Sequence, residues 1–162
     1  MAAFELNEAN YLILHQDLTD FLEHSEACSV MLCDRGGNII VSNGDTVSDS
    51  IDIISALVAG AFAATQQLAN VIGEDEFTAI FHQGKQTSIF ISAVGEEVLL
   101  LALFDNNTTA GLVKMYALNT INKIKGTFAD IMDGTAVDHF DPTASFVISQ
   151  GPIFDDPEES DK

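Results

Sequence analysis

The chain has 162 residues, of which 47% are hydrophobic, and it sets six basic side chains against 25 acidic ones for a formal charge of −19. That length and apolar content suffice for one compact domain and a tail, and they argue against global disorder. The charge repels phosphate backbones and anionic lipid headgroups, so nucleic acid is not an expected partner; it suits a partner with a basic face, or serves only for solubility.

The opening residues, MAAFELNEAN, lack a basic stretch followed by an apolar one, so no signal peptide is expected. A first helix is predicted over residues 7–26, capped by Asn7, with Tyr11, Leu14, Leu18, Phe21 and Leu22 at three-four spacing. Ser29-Val30-Met31-Leu32-Cys33 reads as a strand. Asp34-Arg35-Gly36-Gly37-Asn38 is turn chemistry, and Ile39-Ile40-Val41 returns as a second strand. Cys28 and Cys33, five positions apart, are placed on opposite faces of that strand, as free thiols in a reducing cytosol rather than as a disulfide or metal pair.

A polar loop over residues 43–49 leads into a second helix over residues 50–72, stopped by Gly73. Three further strands are predicted over residues 77–83, 86–94 and 97–104, joined at Gly84-Lys85 and Gly95-Glu96. The last contains Val98-Leu99-Leu100-Leu101-Ala102-Leu103-Phe104 without alternation, the pattern of a strand covered on both faces. A third helix is expected from Thr108 as cap, with Leu112, Met115, Leu118, Ile121, Ile124 and Phe128 on its core stripe. The order is helix, hairpin, helix, three-stranded meander, helix: an α/β (α+β) fold with a five-stranded antiparallel sheet between helices.

The second helix is unusual. Between positions 53 and 64 only Ser55 is polar, whereas a surface helix has one apolar stripe. One five-stranded domain covers one side of such a helix, so something else covers the rest. Ala56, Ala59, Gly60, Ala61, Ala63 and Ala64 are small enough for a second backbone to approach, and two antiparallel copies about a twofold axis would solve the burial problem. Asp52, Ser55, Thr65, Gln66, Gln67 and Asn70 interrupt the segment, which argues against a membrane span. Gln66, Gln67 and Asn70 make a mixed surface that suits a partner protein; a solvated helix end would look the same.

No catalytic motif is found. There is no phosphate-binding loop ending in Gly-Lys-Ser/Thr, no Gly-x-Ser-x-Gly elbow and no His-Glu-x-x-His. His15, His24, His82 and His139 have no shared metal spacing, and Glu74, Asp75 and Glu76 read as solvated loop acids. No enzyme activity, metal or cofactor is expected.

Ala59-Gly60 through Ala63-Ala64, Ile72-Gly73-Glu74-Asp75-Glu76-Phe77, Phe81-His82-Gln83-Gly84, and the run from Phe104-Asp105-Asn106-Asn107 through Thr108-Thr109-Ala110-Gly111-Leu112-Val113 resemble the bacterial MglB-type polarity proteins of the roadblock/LC7 superfamily. The resemblance covers about residues 7–131 and makes residues 1–134 a roadblock/LC7 domain, followed by an acidic tail over residues 135–162. It implies a cytoplasmic homodimer, placed at a cell pole through its partners. The dimer would bind a small Ras-like GTPase of the MglA type and stimulate GTP hydrolysis, in control of polarity or gliding motility. A roadblock scaffold that holds a GTPase or a motor complex without activating it is the alternative. Carried onto this sequence, the GTPase platform is Ala59, Ala63, Gln66, Gln67 and Asn70, and the dimer interface includes Ala56, Gly60 and Ala64. Gln66-Gln67 departs from the small residues often found there in the family. Arg35, the sole arginine, is read as a turn residue rather than as an arginine finger.

Overall fold

The computed structural model describes residues 6–45 and 48–133. The elements follow the predicted order: α1 (Glu8–Ser25), β1 (Ser29–Asp34), β2 (Ile39–Gly44), α2 (Ile51–Ile72), β3 (Ala79–His82), β4 (Thr87–Val94), β5 (Val98–Asp105) and α3 (Ala110–Asp133). The five strands form one antiparallel sheet in the order β2-β1-β5-β4-β3. The tail expected over residues 135–162 lies outside the described residues.

Asn7 caps α1 as expected, its Oδ1 accepting from the Asn10 N–H at 2.8 Å. The β1–β2 hairpin holds its turn through Asp34, whose Oδ1 accepts from the N–H groups of Gly36 and Asn38, each at 2.9 Å. Leu32 faces Val41 and Cys33 faces Ile39, so Ile40 is an extra residue on β2, a bulge that bends the edge strand. β1 begins at Ser29, which leaves Cys28 in front of the strand rather than on its pleat. Gly73 ends α2 in the left-handed region, at φ +78°, where its N–H reaches back to the Asn70 carbonyl.

The central strand β5 divides the core. Val98, Leu100, Ala102 and Phe104 face the α1/α3 layer, and Leu99 and Leu101 face α2. β1 alternates in step: Val30 and Leu32 join Leu14, Leu18 and Phe21 of α1, while Met31 and Cys33 meet Val58 and Phe62 of α2. The unbroken apolar run in β5 thus corresponds to a strand covered on both faces.

Three expectations are corrected. Met115 and Leu118 do not belong to the core stripe of α3; each is 49% exposed, and the buried positions are Val113, Ala117, Thr120, Ile121, Ile124 and Phe128. The helix carries apolar residues on neighbouring stripes, and contact with α1 selects the one that is buried. The cap of α3 is also one residue later. Thr109 Oγ1 accepts from the Leu112 N–H at 3.2 Å, while the Thr108 hydroxyl donates to the Ser25 carbonyl at 2.7 Å and ties α3 to the end of α1. β3 is shorter than predicted because the Phe77 carbonyl accepts from Gln66 Nε2 of α2 at 2.8 Å instead of entering the sheet ladder.

Candidate functional site

One face of α2 is committed to the protein's own sheet. Val58, Ala59 and Phe62 are buried against Met31, Cys33, Ile91, Leu99 and Leu101. The Ser55 hydroxyl donates to the Gly37 carbonyl at 2.7 Å, which seats the helix on the β1–β2 turn. At Gly37, φ is +89° and a Cβ would lie 2.8 Å from Ala56 Cα, so only glycine permits this approach.

The other face is open. Ile53 is 61% exposed, Leu57 69% and Val71 82%, with Leu68 and Ile72 more than half exposed. Gly60 and Ala64 lie between them at three-four spacing, and a Cβ built at Gly60 meets nothing within 4 Å. The result is an apolar stripe with large side chains at both ends and small ones in the middle. Full burial of a large aliphatic side chain is worth about 1.5–3 kcal/mol, so a partner covering this stripe would gain enough to offset a substantial part of the cost of association. By length and composition α2 is also long and apolar enough to cross a bilayer, so its interrupting polar residues do not decide that question; its other face is occupied by packing on the sheet.

The predicted site residues divide. Ala56, Gly60 and Ala64 are exposed on the open face, and Ala63, Gln67 and Asn70 are exposed beside it. Ala59 is 6% exposed and packs into the sheet side of the core, so it does not line the open surface. Gln66 is half-buried and spent on the Phe77 carbonyl. The sequence reading passed over Ile53, Leu57, Leu68, Val71 and Ile72 as parts of the surface. Their three-four spacing through Gly60 and Ala64 was the available signal.

Arg35 is held at the edge of this layer. Its guanidinium donates to the Gly95 carbonyl at 3.1 Å and lies 4.9 Å from the centroid of the Phe62 ring. It links the hairpin turn, the β4–β5 turn and α2. Burial pushes the Cys33 thiol up to about 11, with Asp34 adding to the rise and Arg35 opposing it, so the thiolate is disfavoured. Cys28 is also raised, first by burial and then by Asp105. His24 Nδ1 lies 2.7 Å from the Asp20 carbonyl and His15 stacks on Tyr11, while His139 is outside the described residues. Among the described residues no group of three or more His, Cys, Asp or Glu could hold a metal ion.

The Roadblock/LC7 domain pattern matches residues 14–104, more than half of the chain. The chain belongs to the Roadblock/LC7 family. The fold is similar to MglB of Myxococcus xanthus, at 32% identity over 72% of this chain and 95% of that one, with a TM-score of 0.69. It is similar to the gliding protein MglB of Thermus thermophilus, at 28% identity over 78% of this chain and 96% of that one, with a TM-score of 0.72. A further MglB structure, described as having a tetrameric arrangement, shares 26% identity over 81% of this chain and 98% of that one, with a TM-score of 0.76. No curated protein sequence matches the chain. It is thus a Roadblock/LC7 protein of MglB type, whose sheet and two helical layers cover nearly the full length of those relatives.

Proposed function

We propose that this Roadblock/LC7 protein is a homodimeric regulator that binds a small Ras-like GTPase of the MglA type and stimulates its GTP hydrolysis, in cytoplasmic control of polarity or motility. The observation that carries the reading is the open apolar stripe of α2, from Ile53 to Val71. Two copies laid antiparallel would bury Ile53, Leu57 and Leu68 and let the backbones approach at Ala56, Gly60 and Ala64. Ala63, Gln67 and Asn70 then flank the seam as the surface offered to the GTPase. The similarity to MglB structures supports the same assignment.

The mechanism supplies orientation rather than a reacting group. Hydrolysis requires a positioned water and positive charge against the phosphates. The sole arginine of this chain is engaged with Gly95 and Phe62. The dimer therefore docks the switch loops so that the GTPase's own arginine and glutamine reach the nucleotide, selecting the competent conformation. The same engagement of Arg35 favours, as a second reading, a scaffold that binds without activating. Single-turnover hydrolysis by a co-purified MglA-type GTPase, with and without this protein, separates them. Acceleration is expected; binding with an unchanged rate leaves the scaffold, and no binding at all removes both.

A further inference from the structure

Asn43 is the only asparagine of the chain that precedes a glycine. It stands near the end of β2, an edge strand of the sheet. The Asp45 N–H donates to the Cys28 carbonyl at 2.9 Å, toward β1. Successive N–H groups along a strand point to opposite sides, so that of Gly44 turns away from β1 to the open edge. There it donates to Oδ1 of its own neighbour, Asn43, at 2.8 Å. Asn43 Nδ2 in turn donates to Thr19 Oγ1 of α1 at 2.7 Å, and that hydroxyl donates to the His15 carbonyl at 2.9 Å. The side-chain amide is thus held at both ends, with its carbonyl against the Gly44 nitrogen. A 2.8 Å contact to the oxygen of a C=O about 1.2 Å long places that nitrogen about 3–3.5 Å from Asn43 Cγ, the separation of a near-attack conformer. Gly44 is exposed, so water reaches the pair. The fold also demands glycine here: φ is +109°, and a Cβ would run into the Cys28 carbonyl and Ser29.

We propose that Asn43-Gly44 is a self-modifying site, at which the folded chain converts Asn43 to isoaspartate and aspartate. Hydroxide removes the Gly44 amide proton, and the nitrogen attacks Asn43 Cγ. The Cγ–Nδ2 bond breaks, and Nδ2 leaves as ammonia after taking a proton from water. A five-membered succinimide remains. Water then opens the ring at either carbonyl. Cleavage of the bond from the Gly44 nitrogen to Cγ gives aspartate; cleavage of its bond to the main-chain carbonyl carbon gives isoaspartate, whose backbone runs through Cβ and Cγ. In sum an amide and water become a carboxylate and ammonium, and nothing is oxidised or reduced. The structural consequences are local. The Nδ2 donor to Thr19 is lost and a negative charge is added. In isoaspartate an extra backbone carbon precedes Gly44, which shifts Gly44 and Asp45 off Ser29 and Cys28 and loosens the β1–β2 edge.

The full-length protein, incubated in mildly alkaline buffer and followed by peptide mapping with mass spectrometry, tests this. The mass increment of deamidation is expected on the peptide that contains Asn43, with isoaspartate in excess of aspartate. The rate should rise with pH and should equal or exceed that of a free peptide of residues 39–45. The aged fraction should unfold at lower urea. Thr19→Val frees the amide from its anchor and should slow the reaction several-fold with circular dichroism unchanged, while Thr19→Ser, which keeps the hydroxyl, should retain the parent rate. Asn43→Gln, whose ring would have six members, should lose the mass change on the same timescale. A folded protein that reacts several-fold more slowly than the free peptide overturns the proposal, because the fold would then protect the site. So does a rate that Thr19→Val leaves unchanged or raises.

Discussion

Arg35 and Asp34 are neighbours in one turn, and each has a measurable consequence. Among the described residues the Arg35 guanidinium donates a hydrogen bond to the Gly95 carbonyl and makes a cation–π contact with Phe62. Arg35→Ala should therefore lower stability by about 1–2 kcal/mol in urea titrations. Stimulation of the GTPase should fall by much less than the ~10³–10⁵ that an arginine finger supplies. A collapse of stimulation with binding intact would overturn the orientation mechanism. Burial alone would raise the Asp34 carboxyl. The Asn38 side chain and the N–H groups of Asn38, Gly36 and Gly37 outweigh it and hold the carboxyl below its ordinary value of 3.8. A carboxyl held below its unfolded value stabilises the fold at neutral pH and loses that contribution as pH falls through the folded value. Asp34→Asn should thus be less stable than the parent at neutral pH, with the gap closing as pH falls through the folded value of the Asp34 carboxyl, below which both would carry a neutral side chain. A gap of constant size across this range would show that the charge of Asp34 contributes nothing.

At the scale of the element, α2 gives substitutions of opposite sign. Gly60 is exposed, helical and free of neighbours within 4 Å in the protomer. If α2 stayed uncovered, Gly60→Ala would stabilise it by about 0.8–1 kcal/mol through helix propensity. At a close helix crossing the added methyl should instead weaken the dimer, and a concentration series by analytical ultracentrifugation reads the sign. Ala63→Arg and Ala59→Arg also separate. Ala63 is exposed, so Ala63→Arg should keep the fold and lose GTPase binding or dimerisation. Ala59 is 6% exposed beneath the helix, so Ala59→Arg forces a charge into the core and should unfold the protomer. Equal behaviour of the two variants would mean that the two faces of α2 are wrongly assigned.

Among the described residues the sheet carries a two-helix layer on one side and a single, half-covered helix on the other. That asymmetry is the basis for the expected dimer, and sedimentation should give twice the 17.4 kDa chain mass. Leu57→Asp puts a carboxylate in the middle of the stripe and should yield folded monomers; a dimer unaffected by it would place the interface elsewhere. Truncation after residue 134 should leave the dimer intact, because the five described strands and α2 all lie within residues 29–105. Loss of the dimer on truncation would show that residues 135–162 contribute to association.

Local chemistry was enough to order the elements. Asn7 as a cap, the glycines of the β1–β2 turn, Gly73 as a stop and the unalternating run of β5 each act through neighbours in sequence, so they were legible before any packing was known. The choice among competing apolar faces was not local. Leu118 and Ile121 both fit a helical stripe, and only the approach of α1 decided which was buried. Ala59 and Ala63 are equally small and one turn apart, yet the sheet claims one and leaves the other exposed. Gln66 looked like a surface amide until β3 brought the Phe77 carbonyl within 2.8 Å. Sequence periodicity identified α2 as a helix with more apolar surface than one domain can cover; which residues remained on the uncovered side depended on contacts with strands far along the chain, and only the tertiary structure could assign them.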